Sequence, residues 1–145
     1  MLTLSEPGYD QRQIRRLLER ERRLQEVARL SSERLRSPAA REEARRIAEM
    51  SGRTAFTLGQ MLPRRLRFPD GYAKALNRCW AVVAVGIAAS PDVVALAFLR
   101  WRMRVQTCEL RRASVTLEGL DHHLMIRGVL PRRAAALAKP IWSSS

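Results

Sequence analysis

Asp10–Leu62 reads DQRQIRRLLERERRLQEVARLSSERLRSPAAREEARRIAEMSGRTAFTLGQML, and its punctuation decides the fold class. From Asp10 to Arg36 there is neither Gly nor Pro, and apolar residues recur at Ile14, Leu17, Leu24, Ala28 and Leu35 among charges. That spacing predicts an amphipathic helix. Ser37-Pro38 then interrupts the run, Ser being a favoured N-cap and Pro suiting the first helical turn, with Glu42 and Glu43 soon after. A second helix follows, with Ala40, Ala44, Ile47, Ala55, Leu58 and Leu62 along one line. Its alanines permit a close approach to the first helix, while Gly52 and Gly59 weaken it and leave its end between Met50 and Leu62. Residues 10–62 thus form a charged helical hairpin after a tail at 1–9. In heptads, Glu21 and Ser31 break both apolar registers, so the first helix packs on a neighbour rather than in a long coiled coil. Glu19 with Arg23 and Glu42 with Arg46 fall at the favourable four-residue spacing.

Outward from the hairpin, residues 63–71 form a basic linker with Arg64, Arg65 and Arg67, closed by the turn signal Pro69-Asp70-Gly71. Tyr72 to Ala89 is nearly all apolar after Arg78, and Ser90-Pro91-Asp92 repeats the cap pattern of Ser37 with an acid near the helix start. In the helix that follows, Val94, Ala97, Phe98, Trp101, Val105 and Cys108 share the predicted core face, beside Arg100, Arg104 and Arg111. Trp101 to Thr107 also alternates with a strand's period, which leaves a short hairpin between residues 100 and 130 as an alternative. Pro131 opens a last helical turn or two through Ala138, Pro140 stops it, and 140–145 is a tail. The reading is all-α: a compact bundle of four to five helices in one folded domain, with 72–139 as an apolar helical core with a basic surface. Ala81–Ala89 and Val94–Val105 supply that core.

The composition fits one globular domain: 145 residues, 46% hydrophobic and 28% charged, long enough to bury most of its surface without a disulfide or metal. Cys79 and Cys108 read as small buried hydrophobes. The first ten residues lack the charged and apolar segments of a signal peptide, and a cytoplasmic location is the expectation.

Catalytic patterns are missing. There is no nucleophile with an adjacent base, no apolar carboxylate pair and no phosphate-binding glycine loop, so neither an enzyme nor a cofactor is expected. His122 and His123 are adjacent, point apart, and lie far from both cysteines, which disfavours a metal site and suggests a solvated pair near a turn. Cys79 to Leu99 has the length of a membrane span and is bordered by Trp80, Trp101, Arg78 and Arg100. Asp92 inside it, within a turn signal, favours two packed helices instead.

Charge is the remaining signal. The net value is +13, with 25 arginines and two lysines. Residues 1–53 contribute +4 and residues 54–145 contribute +9, so the uncompensated charge lies in the second half. Its clusters are Arg64, Arg65 and Arg67; Arg100, Arg102, Arg104, Arg111 and Arg112; and Arg127, Arg132 and Arg133. A solvated face accounts for any one of them. Three in one domain point to nucleic acid, RNA or DNA, bound through phosphates with stacking near Trp101 and without sequence readout. The alternatives are a helical assembly module, in which Ile14, Leu17, Leu24 and Leu35 dock on an acidic partner or a second copy, and a small membrane-associated protein spanning at 79–99.

Overall fold

The hairpin begins as its punctuation requires. In a computed structural model, which describes residues 8–138, α1 (Tyr9–Arg34) and α2 (Pro38–Gln60) are joined by a tight turn, and the Ser37 side chain accepts a hydrogen bond from the Ala40 N–H. A single 3-10 turn at Arg64–Leu66 leads to α3 (Gly71–Ala88), whose N-cap is Asp70, accepting from the Ala73 N–H at 2.8 Å. Then come α4 (Asp92–Thr116) and α5 (Leu120–Ala138). The described residues contain five α-helices and no strand, so the bundle is all-α and the hairpin considered for residues 100–130 does not form. No described helix is long and apolar enough to cross a membrane. Gly8 caps α1 and Tyr9 belongs to it; residues 1–7, and the tail expected at 140–145, lie outside the described residues.

α1 is the central element, with α2, α3 and α4 packed around it and α5 lying on α4 and α2. The core falls into two apolar clusters. Ile14, Leu18, Leu58, Leu62, Leu110 and Ile126 belong to one, and Leu24, Ala28, Ala44, Ile47, Leu96 and Leu99 to the other. Ile14, Leu17, Leu24 and Leu35, expected at a partner interface, are all core residues at 6% exposure or less, so none of them offers a docking surface. Their apolar face is consumed by α1's own neighbours.

Polar groups are buried along with these clusters. Arg133 of α5 and Glu21 of α1 are fully enclosed. Arg133 Nη1 donates to Glu21 Oε2 at 3.0 Å and to Thr54 Oγ1 at 3.1 Å, and Nε donates to Thr107 Oγ1 at 2.9 Å. Nη2 donates to the Met103 carbonyl and lies 3.0 Å from Glu21 Oε1, outside hydrogen-bonding geometry. Burial raises the Glu21 carboxyl above its ordinary value against the pull of Arg133. One side-chain network therefore joins α1, α2, α4 and α5, and Glu21, which interrupts the apolar register of α1, is its acid.

The second half departs from expectation in its rotation. The buried face of α4 carries Leu96, Leu99, Arg100, Met103, Gln106 and Leu110, whereas Val94 and Trp101, expected inside, are 52% and 55% exposed. Arg100 turns inward because it has partners there: Glu43 at 2.9 Å and the Leu137 carbonyl at 2.9 Å. Of Ala81–Ala89, Ala84 and Ala88 are buried, while Val82, Val83 and Val85 are exposed. Cys79 and Cys108 are exposed free thiols rather than core residues. Ser90 is not an N-cap either, since its hydroxyl donates to the Gly86 carbonyl and the cap position of α4 is Pro91. Asp92 instead accepts from the Arg36 and Ser37 N–H groups, at 3.0 and 2.8 Å, clamping the α1–α2 turn to the α3–α4 turn. Finally, α5 does not begin at Pro131 but runs through it.

Candidate nucleic-acid interface

Arginines 16, 20 and 23 lie at four- and three-residue steps on α1, so they share one helical face. α4 runs beside that face, and its residues 102, 109 and 112 form a matching row. Gln13, Arg16, Arg20, Glu109, Arg112 and Thr116 line the open groove between the two helices. Arg20 is ion-paired with Glu109. Arg23 donates through Nε to Asn77 Oδ1 of α3 at 3.2 Å. The arginine row is about 10 Å long on α1 and about 15 Å on α4 at 1.5 Å rise per residue.

Its α3 end is aromatic. The Arg102 guanidinium lies 5.2 Å from the ring centroid of Trp80 and 5.6 Å from that of Trp101, and Phe98 stands between the two indoles at 6.5 and 6.1 Å. Burial lowers the pKa of Arg102, opposed by Glu109 and reinforced by the charges of Arg20 and Arg23. Burial likewise lowers that of Arg23, against Glu19 and with Arg20. Arg20, Arg23 and Arg102 thus lie near enough for the charge of each to bear on its neighbours, with Glu109 and Glu19 beside them.

The residues singled out from sequence do not form one patch. Arg64 and Arg65 are exposed at the α2–α3 connection, and Arg67, partly buried beside them, donates to the Leu62 carbonyl at 3.2 Å. Arg104, Arg111 and Arg112 are exposed on α4, Arg127 is exposed on α5, and Arg132 borders a separate hollow with Arg53. Arg100 and Arg133 are 4% and 0% exposed and held by Glu43 and Glu21, so neither is available to a phosphate. Only Arg102 and Arg112 of that set line the α1–α4 row. Arg16, Arg20 and Arg23 complete it and are not conspicuous in the sequence, because the acids at 19, 21 and 26 are interleaved with them along the first helix. Their spacing on one face was the available clue.

The histidines are structural. His122 Nδ1 lies 2.7 Å from Asp10 Oδ2, and His123 Nδ1 contacts the Ser114 carbonyl, so the pair is partly buried rather than solvated. Asp10 also accepts from the Glu118 and Gly119 N–H groups at 2.7 and 2.8 Å. Burial pushes its carboxyl up, but those bonds and His122 outweigh burial and hold it below its ordinary value. Among the described residues, no group of three or more His, Cys, Asp or Glu side chains is arranged to hold a metal ion. Compared with protein-family models, curated proteins and solved structures, the chain matches none.

Proposed function

We propose that the protein binds nucleic acid, RNA or DNA, without reading its sequence, by laying phosphates along the groove between α1 and α4. The observation that carries this reading is the cationic row: Arg16, Arg20 and Arg23 from one helix and Arg102 and Arg112 from the other, five arginines that outnumber the acids beside them, Glu109, which Arg20 engages, and Glu19 and Glu26 near Arg23. Guanidinium groups grip phosphate oxygens in pairs, and each phosphate neutralised releases counterions, so affinity comes from charge and falls with salt. Trp101, 55% exposed at the aromatic end, offers a face on which a base can stack.

Binding of the nuclease-treated protein to short labelled single- and double-stranded RNA and DNA across a salt series tests this. The expected result is a linear fall of log affinity with log salt, at about 0.9 per phosphate contact on duplex DNA. Arg16→Glu with Arg112→Glu should weaken binding at least about tenfold and flatten that slope, with the helical circular dichroism spectrum unchanged. Arg45→Glu is the control, because Arg45 lies on α2 and is already held by Glu42 and Glu49. Equal losses in the two variants would refute the groove as the site.

A further inference from the structure

Three residues past Arg20, where the α1–α4 groove ends, a second hollow of about 170 Å³ opens between α1 and α3. Arg22, Arg23 and Glu26 line it from α1, and Asn77, Trp80 and Ala81 from α3. Of its charged members, Arg22 donates to Glu19 and to the Arg67 carbonyl, and both carboxylate oxygens of Glu26 accept from Arg29.

The groups that remain are a donor edge and a ring. Arg23 Nε donates to Asn77 Oδ1 at 3.2 Å, which fixes the orientation of the planar amide. Asn77 Nδ2, on its other edge, donates to no described residue, and neither do the two Nη groups of Arg23. Trp80 is half-buried beside them. Its contacts with Arg102 and Phe98 come from α4, whereas no α4 residue lines the hollow.

We infer that this hollow takes one unpaired base, so that the ligand of the groove is single-stranded nucleic acid in preference to a duplex. The inference rests on the proposed function and names its substrate class. The hollow is smaller than the about 300 Å³ at which pockets for drug-sized molecules begin, which suits one planar ring with its sugar and phosphate left outside. Trp80 supplies an aromatic wall for that ring, and stacking of this kind tolerates any base. The unengaged groups are all donors, and they meet the acceptor atoms that every base carries on its edge. Arg23 belongs both to the cationic row and to the hollow, so a strand whose phosphates lie along the row brings a base to this point. In a duplex the bases are paired and stacked, and one would have to be extruded, at a cost, to enter.

Three ligands of equal length separate the base from the phosphates: a natural single strand, an abasic single strand with the same number of phosphates, and a duplex. Near physiological salt the natural strand should bind about tenfold or more tighter than either of the others. Its salt slope should equal that of the abasic strand, because the phosphate contacts are the same. Trp80→Ala should bring the natural strand to the level of the abasic one while leaving abasic binding and the helical spectrum unchanged. Since Trp80 also packs on Phe98, Ala81→Met fills the same hollow from an exposed position and should have the same effect. A natural strand bound no tighter than the abasic strand or the duplex would overturn the inference. So would a preference for bases that survives both variants, or one lost only in Trp101→Ala. If the abasic strand binds with the expected salt slope and bases add nothing, the groove stands and the hollow falls; if no strand binds with a salt dependence, both fall.

Discussion

At the scale of single residues, a formal charge says nothing about which side of a helix reaches water. Arg100 and Arg133 look like members of basic clusters, yet each is buried against an acid 57 or 112 positions away. Local sequence shows neither partner, which is why both were placed among surface arginines. Removing one member of such a pair strands the other: Glu21→Leu or Arg133→Met alone should cost about 3–5 kcal/mol in urea unfolding, whereas the double substitution should recover most of that loss. A double variant no more stable than the singles would mean that Thr54 and Thr107, rather than the pair, supply the stabilisation. Residues whose roles are local were easier to read, and Ser37 and Asp70 stand at the turns where their side chains can cap a following helix.

At the scale of elements, the number of helices was legible and the rotation of α4 was not. Apolar residues occur on both sides of that helix, with Val94, Phe98 and Trp101 on one and Leu96, Leu99 and Met103 on the other. Hydropathy alone cannot rank two such faces. What decides between them is Arg100, which finds Glu43 and the Leu137 carbonyl only when the second face is inside. The candidate groove was hidden for a related reason: its α1 arginines sit in a helix of mixed charge, and only the neighbouring row on α4 gives them a common purpose. In α5, the chain continues through Pro131, although proline has no N–H to offer the carbonyl four residues earlier. Pro131→Ala should therefore restore a helical hydrogen bond and raise the melting temperature, by an amount corresponding to no more than about 3 kcal/mol. An unchanged or lower melting temperature would show that the proline ring contributes packing that outweighs the missing bond.

At the scale of the whole molecule, two aspartates tie distant segments together. Asp10 binds the α4–α5 connection to the start of α1, and Asp92 binds the α1–α2 turn to the start of α4. Backbone N–H groups from Arg36 and Ser37 lower the Asp92 pKa, and Asp10 is lowered despite its burial. Since both folded-state values lie below the ordinary 3.8, their stabilisation is complete above that pH and is lost as pH falls through the lowered range. Acid titration of thermal stability should show a decline beginning below about pH 4, and Asp10→Asn with Asp92→Asn should be less stable at neutral pH and lose less on acidification. An acid limb identical to the parent's would assign it to other carboxylates.

The near-absence of lysine has a consequence for control. A guanidinium stays protonated at any pH a cell reaches, and it is not a target of the acetylation that neutralises lysine. The α1–α4 row contains arginine alone, so neither a shift in acidity nor lysine acetylation can switch its charge off. Under the proposed function, release of nucleic acid would come by displacement, through a competing anion or rising ionic strength, rather than by discharge of these side chains.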